Sequence, residues 1–232
     1  MRAFALFVVL ALSACGPNIY DQAKPGTFSG RIFLMWIDDG GPSGDGTFVF
    51  VPVPGQELTF RRRNPAATVA VIQPDMMYTD GGSIPRIAQA FKGFSPWGYA
   101  PAYMVHDWLF LAKNCNTDGK AEGSEVDIAD MSFPESAAIM AEAIKTLVKE
   151  RRVKPNDVSE MVIPSVVGGS ISQGLWDQKG ACDGRRISPE DRAAAEAALP
   201  GVRKSLRGMT RTLEDGTEIP VKRARIITVL DF

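Results

Sequence analysis

Histidine is almost missing from this chain. His106 is the only one among 232 residues, so any imidazole chemistry rests on a single position. A surplus of positive charge is missing too: 26 Lys and Arg stand against 27 Asp and Glu, for a net charge of −1. That balance argues against nucleic acid as a partner, since nothing is left over to neutralise phosphates. The one tight basic run, Arg61-Arg62-Arg63, reads as a solvated strand end. No G-x-S-x-G, Walker loop or dinucleotide fingerprint occurs, and Gly40-Gly41 and Gly168-Gly169 lack the strand-then-helix setting of a phosphate cradle. There is no internal repeat, and the length suits one domain with a sizeable core. Long apolar runs are also lacking. The stretch Ala3 to Leu12 is too short to span a bilayer.

That stretch follows Arg2 and ends in Leu12-Ser13-Ala14-Cys15, the pattern of an export signal over residues 1–14. Its end resembles the lipobox of bacterial lipoproteins. The resemblance implies that Cys15 is lipidated, becomes the first mature residue and binds the membrane through acyl chains without a transmembrane helix. An ordinary secretory signal and a buried apolar segment are the alternatives. Gly16 stands where an aspartate would signal inner-membrane retention, which points to the outer membrane, facing the periplasm. Residues 15–30 read as a tether. Cys115 and Cys182 then remain, and in an oxidising compartment they can pair as a disulfide or stay as two thiols.

Residues 31–232 read as a single α+β domain with N-terminal antiparallel strands, a central helical region and a C-terminal β-hairpin. Strand-length runs cover Arg31 to Ile37, Thr47 to Val53, Gln56 to Arg62 and Ala67 to Gln73, punctuated by Gly, Asp and Pro. Helical spacing covers Ala100 to Lys113, with Pro101 in its first turn. Asn114 to Gly123 reads as a loop. Ser124 and Asp127 predict a capped short helix to Met131, and Ser132 with Glu135 predicts a long one to about Arg152. Asp157 to Gln178 reads as buried helix, and Ser188-Pro189-Glu190-Asp191 starts another helix. A terminal hairpin is expected from Met209 to Leu213, a turn at Asp215-Gly216, and Arg223 to Leu230.

The candidate site lies between Tyr78 and Phe110. One end reads Thr79-Asp80-Gly81-Gly82-Ser83-Ile84-Pro85-Arg86, and the other contains Ala102 and His106-Asp107-Trp108-Leu109. A His-Asp pair within an apolar helical run must be hydrogen-bonded, bound to an ion or catalytic, because an unpaired polar group in a core costs a few kcal/mol. Asp80, His106, Asp107 and Asp130 supply mixed N/O ligands of the kind a divalent metal such as zinc accepts. Neighbours on a helix point about 100° apart, so one of His106 and Asp107 would bind while the other supported a loop. The architectural alternative has Asp80 capping the Gly81-Gly82-Ser83 turn and His106 or Asp107 holding that turn to the helix. Serine–histidine catalysis would need Ser83 near His106. A separate calcium candidate is Asn114-x-Asn116-x-Asp118-Gly119 with Glu125 six positions later, the EF-hand spacing. It departs from that pattern in having Asn first, Ala121 in place of a branched residue, and Cys115 inside the loop.

These motifs, with Pro74, Asp75 and Asp130, resemble a bacterial and phage family known as domain of unknown function 1353. The resemblance runs over about Leu58 to Val148 and brings no established activity. A helix bearing His-Asp beside a helix with an inward aspartate also resembles phospholipase A2. That resemblance implies His106 as general base, Asp107 as calcium ligand and Asp130 as the group orienting the histidine. The dense cysteines and the glycine-rich calcium loop of that family are absent here. Two functions follow as expectations. One is a lipid-anchored envelope hydrolase using His106 with Asp107, Asp130 and Asp80. The other is a non-catalytic envelope or phage-related interaction module in which both motifs are structural. An ion-stabilised binding protein using the Asn114 loop stands beside these two as a further expectation. Cofactors, protein partners and substrate stay open at this point, with zinc or calcium as the ions to test.

Overall fold

The computed structural model describes residues 19–38, 45–79, 99–154, 169–202, 209–212, 216 and 218–232. Strands β1 (Thr27–Ser29), β2 (Arg31–Asp38), β3 (Gly46–Pro52), β4 (Thr59–Arg61), β5 (Val71–Ile72) and β6 (Met77–Thr79) come first after a single helical turn, α1 (Ile19–Gln22). The helical region holds α2 (Ala100–Thr117), a 3-10 helix (Gly123–Ile128), α3 (Phe133–Lys149), α4 (Ser170–Trp176), α5 (Cys182–Arg185) and α6 (Pro189–Ala197). Strands β7 (Thr210–Thr212), β8 (Glu218–Pro220) and β9 (Arg223–Asp231) close the chain. The class is α+β. No helix among the described residues is long and apolar enough to cross a membrane.

Side chains alternate across a strand, and in β2 and β3 both faces are apolar. Ile32, Leu34 and Phe50 enter one core, which also takes α2 and α3. Phe33, Met35, Ile37, Val49 and Val51 enter a second core with Ile187, Ala194 and Ala195 at α6. The antiparallel sheet β6-β3-β2-β9 therefore lies between two helical layers, and a smaller sheet β1-β4-β5 adds to the first core. Between the two sheets Gly30 turns the chain with φ +101, and a Cβ there would lie 2.2 Å from the Glu57 carbonyl oxygen. Only glycine suits both that dihedral and that approach.

Helix α2 is the centre of the fold. Pro101 sits in its first turn, and only Asp107, Lys113, Asn116 and Thr117 escape burial. A helix that is apolar nearly all round belongs inside. Helix α3 starts where the Ser132 hydroxyl accepts from the Glu135 amide (3.3 Å) and buries Ala141, Ile144 and Leu147. Helix α6 starts likewise, with Ser188 Oγ accepting from the Asp191 amide (3.1 Å).

Several expectations are corrected. Arg62 is not solvated: its guanidinium donates to both oxygens of Glu142 (2.7 and 3.0 Å) and to Glu135, with its side chain fully buried. Burial opposes its charge, but the hydrogen bonds and charges of Glu142 and Glu135 outweigh that and raise its pKa. The expected loop from Asn114 is helix as far as Thr117. The short helix that follows is capped by Glu122 and Glu125, each side chain bonding the other's backbone amide, and not by Ser124 and Asp127. In Asp157 to Gln178, residues 155–168 lie outside the described residues, and α4 buries only Trp176. The hairpin is β7 with β8. Arg223 to Leu230 instead belongs to β9, which pairs with β2 across a bulge at Leu34/Met35. The tether is shorter than residues 15–30, because β1 pairs with β4 and Lys145 donates to the Tyr20 and Asp21 carbonyls of α1 (2.9 and 3.1 Å).

Candidate functional site

Helical spacing decides which residues of α2 meet. His106 and Phe110, four apart, share a face, and their ring centroids lie 4.8 Å apart. The imidazole is buried, with 5% of the residue exposed. Its Nδ1 stands 3.7 Å from Asp107 Oδ1, beyond a hydrogen bond but within range of electrostatic attraction. Among the described residues its Nε2 is buried with no hydrogen-bond partner, as are Tyr103 Oη, Trp108 Nε1 and Asn114 Oδ1 on the same helix. Buried polar atoms are seldom left this way, because each one costs about 1–3 kcal/mol.

A second element reaches this region through a covalent link. Cys115 and Cys182 form a disulfide with their Cα atoms 4.6 Å apart, which joins the last turn of α2 to the first of α5. The Asp118 carboxylate reinforces the junction by accepting from the Gly180 and Cys182 amides (2.7 and 3.0 Å). Those two backbone donors hold its pKa below the usual carboxylate range. Arg186 adds ion pairs to Glu122 and Glu125. Arg185 is thereby brought into the field of Asp107. Burial lowers the Arg185 pKa, while the Asp107 carboxylate pulls the other way. Tyr103 lies in the same field: burial raises its pKa first, and Tyr99 and Asp107 add to the rise. Asp107 therefore influences an imidazole, a guanidinium and a phenol at once.

The expected residues are distributed unevenly. His106 and Asp107 are adjacent and half-facing, as described. Asp80 and the whole of 80–98, including Ser83 and Arg86, lie outside the described residues, as does Cys15. Asp130, expected to face inward, is exposed in the turn after the 3-10 helix. The EF-hand candidate begins as helix, and only Asp118 to Glu122 form a loop before the 3-10 helix. Asn114 and Asn116 are helical; Asn114 Nδ2 donates to the Leu175, Trp176 and Gln178 carbonyls, and Asn116 Nδ2 to Ala112 and Glu125. Asp118 and Glu125 hold the junction and the cap just described. All four side chains bond within the fold, the two asparagines through their amide nitrogens and the two acids through their carboxylates. Among the described residues no group of three or more His, Cys, Asp or Glu side chains could hold a metal ion.

Arg185 and Tyr103 were not anticipated. Tyr103 lies one turn before His106, so helical spacing alone could have picked it out. Arg185 follows Cys182 by three positions, and the disulfide with the Asp118 and Arg186 contacts beside it brings it to α2. No family model, curated protein or solved structure matches this chain.

Proposed function

We propose that this is an exported lipoprotein of the cell envelope, anchored at Cys15 and facing the periplasm from the outer membrane. Its domain is of the domain-of-unknown-function-1353 type and hydrolyses an envelope or lipid substrate. The observation that carries the catalytic part is the buried, unpartnered Nε2 of His106. A histidine kept only for architecture normally has both nitrogens bonded. Here Nε2 is the nitrogen left to work. It takes a proton from water, the resulting hydroxide adds to the substrate carbonyl, and the imidazolium returns the proton to the leaving alkoxide. Asp107, on the Nδ1 side, takes the supporting role expected of Asp130. Arg185 and Tyr103 offer cationic and hydroxyl donors for the developing oxyanion. The disulfide supports the export part, since such a bridge persists in an oxidising compartment.

The test is turnover of ester and phospholipid substrates by the mature lipidated protein. His106→Gln should abolish turnover and leave the melting temperature nearly unmoved. Full activity in that variant would overturn the assignment.

The burial of the ring and its packing on Phe110 favour a second reading, a non-catalytic envelope interaction module. It predicts no turnover of any ester by the wild type and a clear stability loss in His106→Ala.

A further inference from the structure

From the proximity of the fold to its anchor, we infer that the domain lies against anionic phospholipid headgroups through the basic C-terminal end of α3. The inference rests on the lipid-anchor reading above. Only Gly16, Pro17 and Asn18 separate Cys15 from Ile19, the first residue of α1. Four peptide steps reach at most roughly 14 Å. Helix α1 is fixed on α3 through Lys145, which also sits 5.1 Å over the Tyr20 ring. The Gly26 amide donates to Thr146 Oγ1 (2.7 Å) one position further along α3. The end of α3 is thus held beside the point where the lipid enters. The short link cannot lift it away.

That end carries a long stretch of mostly positive charge. From 145 to 154 the sequence has Lys145, Lys149, Arg151, Arg152 and Lys154 against the single acid Glu150. Lys145 and Arg152 are engaged within the fold, and Glu150 is paired with Arg152 at 3.1 Å. Lys149, Arg151 and Lys154 are exposed, as is Lys24 on the segment that runs past Thr146. Asp21 is the one exposed acid on α1. Arg151 has φ 58, at the position just past a helix where glycine or asparagine usually relieves the left-handed strain. A long cation is kept there against the local backbone preference. The overall net charge of −1 makes this patch a local excess, not a general basicity. Each Lys or Arg close to an anionic leaflet strengthens the attraction about fivefold, and a tethered cluster of four needs no other contact to orient the domain.

The experiment uses the mature lipidated protein reconstituted into vesicles of phosphatidylcholine alone or with phosphatidylglycerol. Amine acylation is followed by peptide mass spectrometry. Lys24, Lys149 and Lys154 should be acylated several-fold more slowly on the anionic vesicles at low salt, with exposed Lys179 unchanged. The protection should disappear in high salt, and that of Lys24, the reporter that remains, should disappear in the triple variant Lys149→Gln, Arg151→Gln, Lys154→Gln. Equal acylation on both vesicle types, or protection insensitive to headgroup charge, overturns the inference while leaving the anchor intact. The same mass spectra report on Cys15. An unlipidated mature chain overturns the anchor reading itself and the docking with it, so the two failures are told apart.

Discussion

Two of the buried polar sites among the described residues are treated in opposite ways. At one, Arg62 meets Glu142 and Glu135, and the hydrogen bonds outweigh the burial of its charge. At the other, His106, Tyr103 and Trp108 bury polar atoms with no partner. The first arrangement is what a protein does with charges it needs only for shape: satisfy every donor. The second is tolerated where something else is to be met there. The contrast is the argument for function at α2, and it can be broken from either side.

The largest effect should come from the satisfied site. Arg62→Ala leaves two carboxylates facing each other without their cation and should cost about 3–5 kcal/mol in urea unfolding. The paired replacement Arg62→Met with Glu142→Leu should recover most of that loss. If Arg62→Ala were nearly neutral, the site would not be the closed network described. Next comes the disulfide. Cys115→Ser with Cys182→Ser should cost about 2–4 kcal/mol, since the bridge spans 67 residues of sequence. Because α5 would lose its hold on α2, any hydrolysis dependent on Arg185 should fall as well.

The unsatisfied site predicts a change of the other sign. His106→Leu removes an unpaired nitrogen and keeps the volume, so stability should hold or rise by about 1 kcal/mol while turnover is lost. A clear loss of stability in His106→Leu would mean that the ring has a partner after all, and the contrast would collapse. The smallest effect is with pH. Burial alone would raise the Glu135 carboxyl, but hydrogen bonds from Thr68 and Arg62, with the Arg62 charge, hold it below its usual 4.5. A depressed carboxylate contributes stability above the unfolded value and loses it as pH falls through the folded one. Glu135→Gln should therefore lose stability at neutral pH and show a shallower decline below about pH 4.5, read from melting temperature against pH.

The local chemistry of the chain was open to reading, and its long-range pairings were not. Ser132 and Ser188 announce α3 and α6 because capping is a short-range hydrogen bond between residues three apart. The strands at Arg31 and Thr47 announce themselves by length and apolar content. Arg62 reads as a solvated residue because it stands in a run of three arginines, while its partners lie 73 and 80 residues away. Asn114, Asn116 and Asp118 have the spacing of a calcium loop, yet three carbonyls near Trp176 claim Asn114 and two amides near Cys182 claim Asp118, and those partners are distant in the chain. His106 was identifiable as the lone imidazole in an apolar run. That Arg185 would enter the field of Asp107 depended in part on a disulfide that sequence left as one of two options.

The β2–β9 pairing carries a consequence for how the polypeptide matures. Arg31 and Asp231 pair across 200 residues, and the Phe232 amide donates to Gly30 (2.8 Å). The first long strand thus waits for the last one. Contacts of such separation are slow to form, so a chain threaded outward from its N-terminus would emerge with the β2 edge bare until the final residues arrive. Truncating β9 would leave that edge open to pairing with another molecule.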